Sequence, residues 1–145
     1  MIKYFDDFVV GEKLQHGAYQ ITREEVLSFF RQYGRPTEVA DDDERVRTSG
    51  CHTIAIFQRM RVDMGFADGS ADAVMAAVGL DELRWLTPVY SGDVLKAECE
   101  VLEKIESRSK PDRGILKSRY TLHNQAGEVA LTLISSFMMQ RRPLA

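Results

Sequence analysis

Apolar residues recur at helical intervals early in the chain and alternate with polar residues later. In the stretch QITREEVLSFFRQYGRP (20–36), the apolar positions share one face of a helix: Val26, Phe29, Phe30 and Tyr33. Thr22 and Glu25 have the spacing of a capping box at its start. Gly34, which can adopt the left-handed terminal conformation, and Pro36 predict its end. The pattern therefore predicts a surface helix followed by a loop.

A second helical segment begins within RTSGCHTIAIFQRM (47–60). Thr48 or Ser49 is a candidate N-cap, and positions 51–57 are apolar on nearly every side of the helix. The segment ends at MGFADGS (64–70). Because a helix that is apolar all round must be enclosed by protein, we expect a buried central helix here.

The rest of the chain is typical of long antiparallel strands, after a short strand region near the N-terminus. One strand lies in 72–93, and the next, in 93–106, alternates apolar and polar residues. The segment 113–142 predicts a hairpin that turns at 124–127, and its second arm, apolar on both faces, is expected to be a central strand. A curved antiparallel sheet wrapped around one buried helix, an α+β hotdog fold, satisfies this pattern. The open edges of such a sheet favour a dimer.

Length, charge and cysteine content limit the classes of protein to which this chain can belong. The 145 residues form one expected domain, 1–145, and a net charge of -3 gives no reason to expect binding to nucleic acid or to anionic membranes. The apolar runs are too short for a membrane span, and the first residues lack the apolar core of a targeting peptide. Cys51 and Cys99 are far apart, which favours free thiols in a cytoplasmic protein.

The chain resembles MaoC-like acyl dehydratases and (R)-specific enoyl-CoA hydratases along nearly its whole length. The resemblance rests on YFDDFVVGEKLQHGAYQITREEVLSFFRQYG (4–34), SGCHT (49–53), DELRWLTPVYSGDVL (81–95) and the segment from 100 to 143. It implies a dimeric hotdog protein that adds water to, or removes it from, an acyl thioester. Coenzyme A would enter as part of the substrate, with no separate cofactor and no metal.

The sequence departs from this family at its catalytic pair. The resemblance implies an Asp and, five positions later, a His in the loop after the first helix. When the family pattern is aligned with this chain without gaps, Arg35 and Ala40 occupy the two positions. An alignment shifted by one residue places Gly34 and Val39 there. The usual pair is therefore missing, although the likeness of the fold remains.

The start of the second helix is the best candidate for binding a thioester. Ser49, Gly50 and Cys51 are expected at a helix N-terminus, where amides without acceptors and the helix dipole favour negative charge. The resemblance places the oxyanion site there. Gly50 would let a ligand approach the backbone closely. A purely structural helix start remains the alternative.

The candidates for acid, base or nucleophile are few. His52 has the chemistry of a base, but a lone core histidine more often has a structural or positioning role. Cys51 is interpreted as a small buried residue, because His52 beside it in a helix points about 100 degrees away. In the acidic loop, Asp41 and Asp42, and less so Glu38, are candidate carboxylates that are more often simply solvated.

Three further candidates, Arg108, Lys110 and Arg113, form a basic turn in SRSKPDRG (107–114). Such a turn suits the phosphates of coenzyme A, although a solvated hairpin tip explains it equally well. His16 and His123 are expected at the surface.

Three functions follow from these candidates. The first is a hydratase or dehydratase acting on a thioester of coenzyme A or of an acyl-carrier protein. The second is a degenerate acyl-CoA-binding subunit, as a homodimer or paired with a second hotdog subunit. The third is a hotdog thioesterase that uses one carboxylate.

Overall fold

A computed structural model describes residues 1–35 and 44–144. Within these residues, two helices, α1 (Arg23–Tyr33) and α2 (Gly50–Asp68), accompany five strands. The strands are β1 (Lys13–Gln20), β2 (Val74–Trp85), β3 (Val94–Glu106), β4 (Arg113–His123) and β5 (Val129–Gln140). Two short 3-10 turns, Phe5–Asp7 and Ala71–Ala73, precede β1 and β2.

All five strands belong to one antiparallel sheet, in the order β1-β3-β4-β5-β2. The predicted hairpin is confirmed, because β4 and β5 pair and Gly127 turns the chain with a φ of 79°. The prediction that the second arm is central is also confirmed, since β5 lies between β4 and β2. β1 and β2 are left as the two edges of the sheet.

The start of α1 is confirmed in detail, but its end differs from the prediction. Glu25 N donates to Thr22 Oγ1 at 3.2 Å, and Thr22 N donates to Glu25 Oε2 at 3.2 Å, which completes the capping box. Gly34 is extended rather than left-handed, with φ -103° and ψ -173°. The predicted apolar stripe is only partly buried, because Tyr33 is 69% exposed at the last turn.

α2 lies against one face of the sheet. Seven of its residues are buried: His52, Thr53, Ile56, Phe57, Met60, Met64 and Gly65. The opposite face is exposed and includes Cys51, Ala55, Gln58, Arg59 and Phe66. The expectation of a wholly enclosed helix is therefore wrong for a single chain, because the sheet of one chain covers only one side of the helix. No helix in the described part of the chain is long and apolar enough to cross a membrane.

Candidate functional site

At the N-terminus of α2, one backbone amide donates to the capping side chain, and others have no acceptor within the helix. Ser49 Oγ accepts from Cys51 N at 3.2 Å, and Ser49 O accepts from Thr53 N at 3.0 Å. The amides of Gly50 and His52 precede the first intrahelical hydrogen bond and so have no intrahelical acceptor. The sequence suggests the amides of Gly50 and Cys51 as oxyanion donors. The Cys51 amide already donates to the Ser49 side chain, so the Gly50 amide is the better candidate of the two.

Trp85, at the end of β2, covers Gly50. A Cβ placed on Gly50 would lie 2.9 Å from Trp85 Cε2, which is closer than carbon atoms can pack. Trp85 Nε1 also donates to Gly50 O at 3.1 Å. Glycine is thus required at this position for the indole to pack over the helix start. Sequence reasoning missed Trp85, although the chain has no other tryptophan.

An open cleft of about 420 Å³ runs between the start of α2 and the segment that follows β2. It is lined by Arg47, Thr48, Ser49, Gly50, Cys51, Thr53, Trp85, Leu86, Thr87, Pro88 and Val89. Thr48 N donates to Val89 O at 2.8 Å, so the two walls are joined by the backbone. The volume lies in the range of small-molecule sites, and Arg47 is the one charged side chain among the described residues of the lining. The cleft therefore suits a ligand that is partly apolar and partly anionic.

His52 is buried against α1 rather than in the cleft lining. Its Nε2 lies 3.1 Å from Glu25 Oε1, and its ring stacks on Phe29 with centroids 5.0 Å apart. Tyr19 on β1 donates to both oxygens of Glu25, at 2.9 and 3.1 Å. The Nδ1 atom of His52 is buried and has no hydrogen-bond partner among the described residues. The contacts of Nε2 and of the ring face are typical of a structural residue. They do not account for the burial of Nδ1.

Burial and the neighbouring Glu25 both favour the neutral form of the Tyr19 phenol. Burial first, and then the hydrogen bond to Glu25, raise the pKa of Tyr19 to about 12. Tyr19 therefore remains a neutral donor at physiological pH and ties the edge strand β1 to α1.

The two thiols differ in their surroundings. Cys51 is exposed on the open face of α2, so the interpretation as a buried residue is wrong. Cys99 is buried in the sheet, and burial raises the pKa of its thiol. Both are free cysteines, and no base lies beside Cys51 among its described contacts.

The basic turn lies at the other end of the sheet from the helix start. Arg113 pairs with Asp112, with Nε and Oδ1 2.8 Å apart, and Arg108 and Lys110 are exposed. The cross-strand row beside the turn is Gly114, Met139 and Val74, whereas the row at the helix start is Leu122, Leu131 and Trp85. On β4, eight residue steps at about 3.3 Å each separate Gly114 from Leu122, so the two rows are roughly 26 Å apart. One chain therefore does not bring the two halves of the predicted coenzyme A site together.

Asp41, Asp42 and Glu38 lie outside the described residues, as do Ala40 and Val39. Their assignments stay predictions. His16 and His123 are both partly exposed.

Comparison with known proteins supports the resemblance. The crystal structure of a MaoC-like dehydratase from Rhodospirillum rubrum is 26% identical, covers 98% of this chain and 99% of its own, and superposes with a TM-score of 0.82. A mesaconyl-CoA hydratase from Cereibacter sphaeroides is 27% identical over an alignment 147 residues long that covers 99% of this chain. The chain spans 43% of the length of that hydratase. No family model matches the chain.

A third comparison concerns the architecture. A hypothetical protein of Mycobacterium tuberculosis, described as a double hotdog fold, superposes with a TM-score of 0.77 at 17% identity. The match covers 98% of this chain and 45% of that one, so one copy of this chain corresponds to about half of a double hotdog. This chain thus has the predicted hotdog fold, and it resembles the MaoC-like dehydratases in sequence and in structure.

Proposed function

We propose that this chain is an acyl-CoA hydratase or dehydratase of the MaoC-like type. The observation that carries the proposal is the cleft at the start of α2, where the amide of Gly50 has no intrahelical acceptor. The relatives named as a MaoC-like dehydratase and a mesaconyl-CoA hydratase support the same reaction class. The cleft also has an apolar wall, formed by Trp85, Leu86 and Val89, for the acyl chain.

The chemistry assigned to the helix start is stabilisation of an enolate. When water adds to the β carbon of an enoyl thioester, negative charge develops on the thioester oxygen. A Gly50 N–H aimed at that oxygen, together with the helix dipole, stabilises the charge by about 3 kcal/mol for a well-placed donor. In the dehydration direction the same contact stabilises the enolate formed when the α proton is removed. Asp41 and Asp42 remain the proposed carboxylates for proton transfer.

The working assembly in this proposal is a dimer formed at β2. Met75, Val78 and Leu80 expose apolar side chains along this edge, at 43%, 55% and 43%. An edge strand also presents unpaired backbone donors and acceptors, which a second copy can satisfy by antiparallel pairing. The correspondence of one chain to about half of a double hotdog supports two such units side by side.

The role of the Gly50 amide can be tested with a matched pair of variants. Proline is tolerated at the first position of a helix and removes its N–H. Trp85→Ala makes room for either side chain, so Trp85→Ala/Gly50→Pro is compared with Trp85→Ala/Gly50→Ala, which keeps the N–H. We expect kcat for hydration of crotonyl-CoA, followed by enoyl absorbance, to be lower in the proline variant by about 100-fold.

Two outcomes would contradict the proposal. Equal kcat values in the two variants would remove the Gly50 amide from the mechanism. Absence of any change in enoyl absorbance with the wild-type protein, across acyl chain lengths, would exclude the hydratase. Thermal unfolding of both variants checks that the helix start still folds.

A further inference from the structure

We infer that Glu82 is a positioning residue of the cleft at the start of α2. Its left-handed backbone forms a β-bulge in β2, and that bulge turns the indole of Trp85 onto the helix start. The inference rests on the proposed function, because it assigns one more residue to the same site. It begins from two separate observations, the register of β2 and the backbone angle of Glu82.

The register of β2 contains one extra residue between Asp81 and Arg84. These two residues are three positions apart, whereas their partners on β5, Ile134 and Thr132, are two positions apart. Two residues of β2 therefore oppose one residue of β5, which is the definition of a β-bulge. The bulge immediately precedes the part of β2 that borders the cleft and ends in Trp85.

The bulge determines which side chains of β2 face the helix. Trp85 pairs with Leu131, a member of the core that includes the buried residues of α2, and Leu83 packs against the same core. Successive side chains of a regular strand point to opposite faces of the sheet. A regular strand continuing from Asp81 would therefore turn Arg84, rather than Trp85, towards the helix. The extra residue reverses this alternation.

Glu82 adopts the backbone conformation that such a bulge requires. Its φ is 48°, and it is the one non-glycine residue with a positive φ in the part of the chain that the structure describes. Glycine is the usual residue at this position of a bulge, because other residues are strained in the left-handed region. The Glu82 side chain is exposed, so its own burial does not hold it there. The strained backbone is held instead by the residues that follow, Leu83 in the core and Trp85 on α2.

The position of Trp85 affects the chemistry assigned to the helix start. Its Nε1 donates to Gly50 O at 3.1 Å, and its indole belongs to the apolar wall beside the Gly50 amide. A thioester lying against this wall has its carbonyl held near that amide, and the indole excludes water from the same side. Turning Trp85 outward would remove the wall and leave the amide in place. The acyl group would then be poorly oriented towards its donor.

Two substitutions separate the backbone of Glu82 from its carboxylate. Glu82→Gly removes the carboxylate and favours the left-handed backbone, whereas Glu82→Val disfavours that backbone, in which a β-branched residue is an outlier. Asp81→Val is the matched control, because Asp81 is the neighbouring exposed position and its φ is not positive. Since the chain has a single tryptophan, its fluorescence emission reports on Trp85 alone.

Glu82→Val should displace the indole, and the other two variants should not. We expect its emission maximum to move to longer wavelength and its quenching by acrylamide to increase, because the indole leaves Gly50 for solvent. The kcat for crotonyl-CoA should fall at least about tenfold, with a smaller change in KM, because the acyl group loses its orientation. Glu82→Gly and Asp81→Val should keep the wild-type emission and a kcat close to the wild-type value.

The fluorescence measurement tests the position of Trp85 even if the wild-type protein lacks hydratase activity, which would refute the proposed function alone. Unchanged emission in folded Glu82→Val would show that Trp85 does not depend on the bulge, and the inference would be wrong. It is also wrong if Glu82→Gly shifts the emission as Glu82→Val does, or if a shifted emission leaves kcat unchanged. If Glu82→Val does not fold, Glu82→Ala, which strains the same backbone less, is measured in its place, with a smaller shift expected.

Discussion

The two edges of the sheet differ in how they meet solvent. β1 presents Lys13, Gln15, Gly17 and Gln20 as exposed residues, and an edge lysine with polar neighbours discourages pairing with another chain. β2 presents Met75, Val78 and Leu80, and ten of its twelve residues are exposed, all but Val74 and Leu83. One edge is thus protected within the chain, whereas the other exposes apolar side chains that burial would stabilise.

The same contrast extends to what each edge contacts. β1 is joined to α1 by hydrogen bonds from Tyr19 to Glu25, and Glu25 in turn bonds to Thr22 and His52. β2 ends in Trp85, which borders an open cleft. The candidate site therefore lies at the end of the edge strand whose exposed side chains are apolar.

Charge introduced at β2 should have the largest effect. We expect Val78→Lys to raise the dissociation constant of the proposed dimer more than about 100-fold, because an unpaired charge buried at an interface costs about 3 kcal/mol or more. Gln15→Lys, on the β1 edge, is the matched control and should leave the dimer unchanged. Sedimentation equilibrium measures both, and equal effects at the two edges would refute the distinction between them.

Removing the anchor of β1 should act on folding instead of assembly. Glu25→Ala removes the hydrogen bonds that Glu25 accepts from Tyr19 and from the backbone of Thr22. We expect the free energy of unfolding in denaturant to fall by about 1–3 kcal/mol while the dimer persists. Glu24→Ala, at an exposed neighbouring position, should change it by less than about 1 kcal/mol. A change in subunit number in Glu25→Ala would contradict the division between the edges.

His52 provides a smaller test of the same network. His52→Phe keeps a ring that can stack on Phe29 and removes the buried, unpartnered Nδ1. Because the lost bond to Glu25 and the removed unpaired atom oppose each other, we expect stability to change by about 1 kcal/mol or less. Turnover of crotonyl-CoA should stay within a few-fold of wild type if His52 is structural. A fall of 100-fold or more in kcat, with stability retained, would identify it as a base.

The smallest effect should be a pH dependence at β1. Tyr19 has its pKa raised to about 12 from an ordinary value of 10.0, so its neutral form is favoured in the folded protein. The resulting stabilisation is complete below pH 10 and is lost as the pH rises from 10 towards 12. Since Tyr19 is only partly buried, solvent screening should keep the loss under about 1 kcal/mol. Tyr19→Phe should lack this component in denaturant titrations at pH 9 and pH 11, and an unchanged slope would argue against the Glu25 contact.

Local patterns in the sequence predicted the elements well. The capping box at Thr22 and Glu25, the turn before Glu128 and the central position of β5 follow from short-range rules of capping, turn chemistry and alternation. The end of α1 was less predictable, because a glycine permits left-handed backbone without requiring it. At Gly69, which ends α2, the left-handed conformation is adopted, with φ 87°.

The candidate site was only partly accessible to such rules. Ser49 and Gly50 could be identified as a helix start, but the contact of Trp85 with Gly50 joins residues 35 positions apart. The bond between His52 and Glu25 likewise joins two helices, and no spacing within either helix indicates it. The exposure of Cys51 depends on which side of α2 the sheet covers.

The amino-acid sequence by itself determined the helices, the strands and the likeness to hotdog proteins, because these depend on periodicity and on neighbouring residues. Only the tertiary structure decided which face of α2 is left open, which edge of the sheet is apolar, and that the basic turn lies far from the helix start. Those features depend on strand order and register, which bring distant residues together or keep them apart.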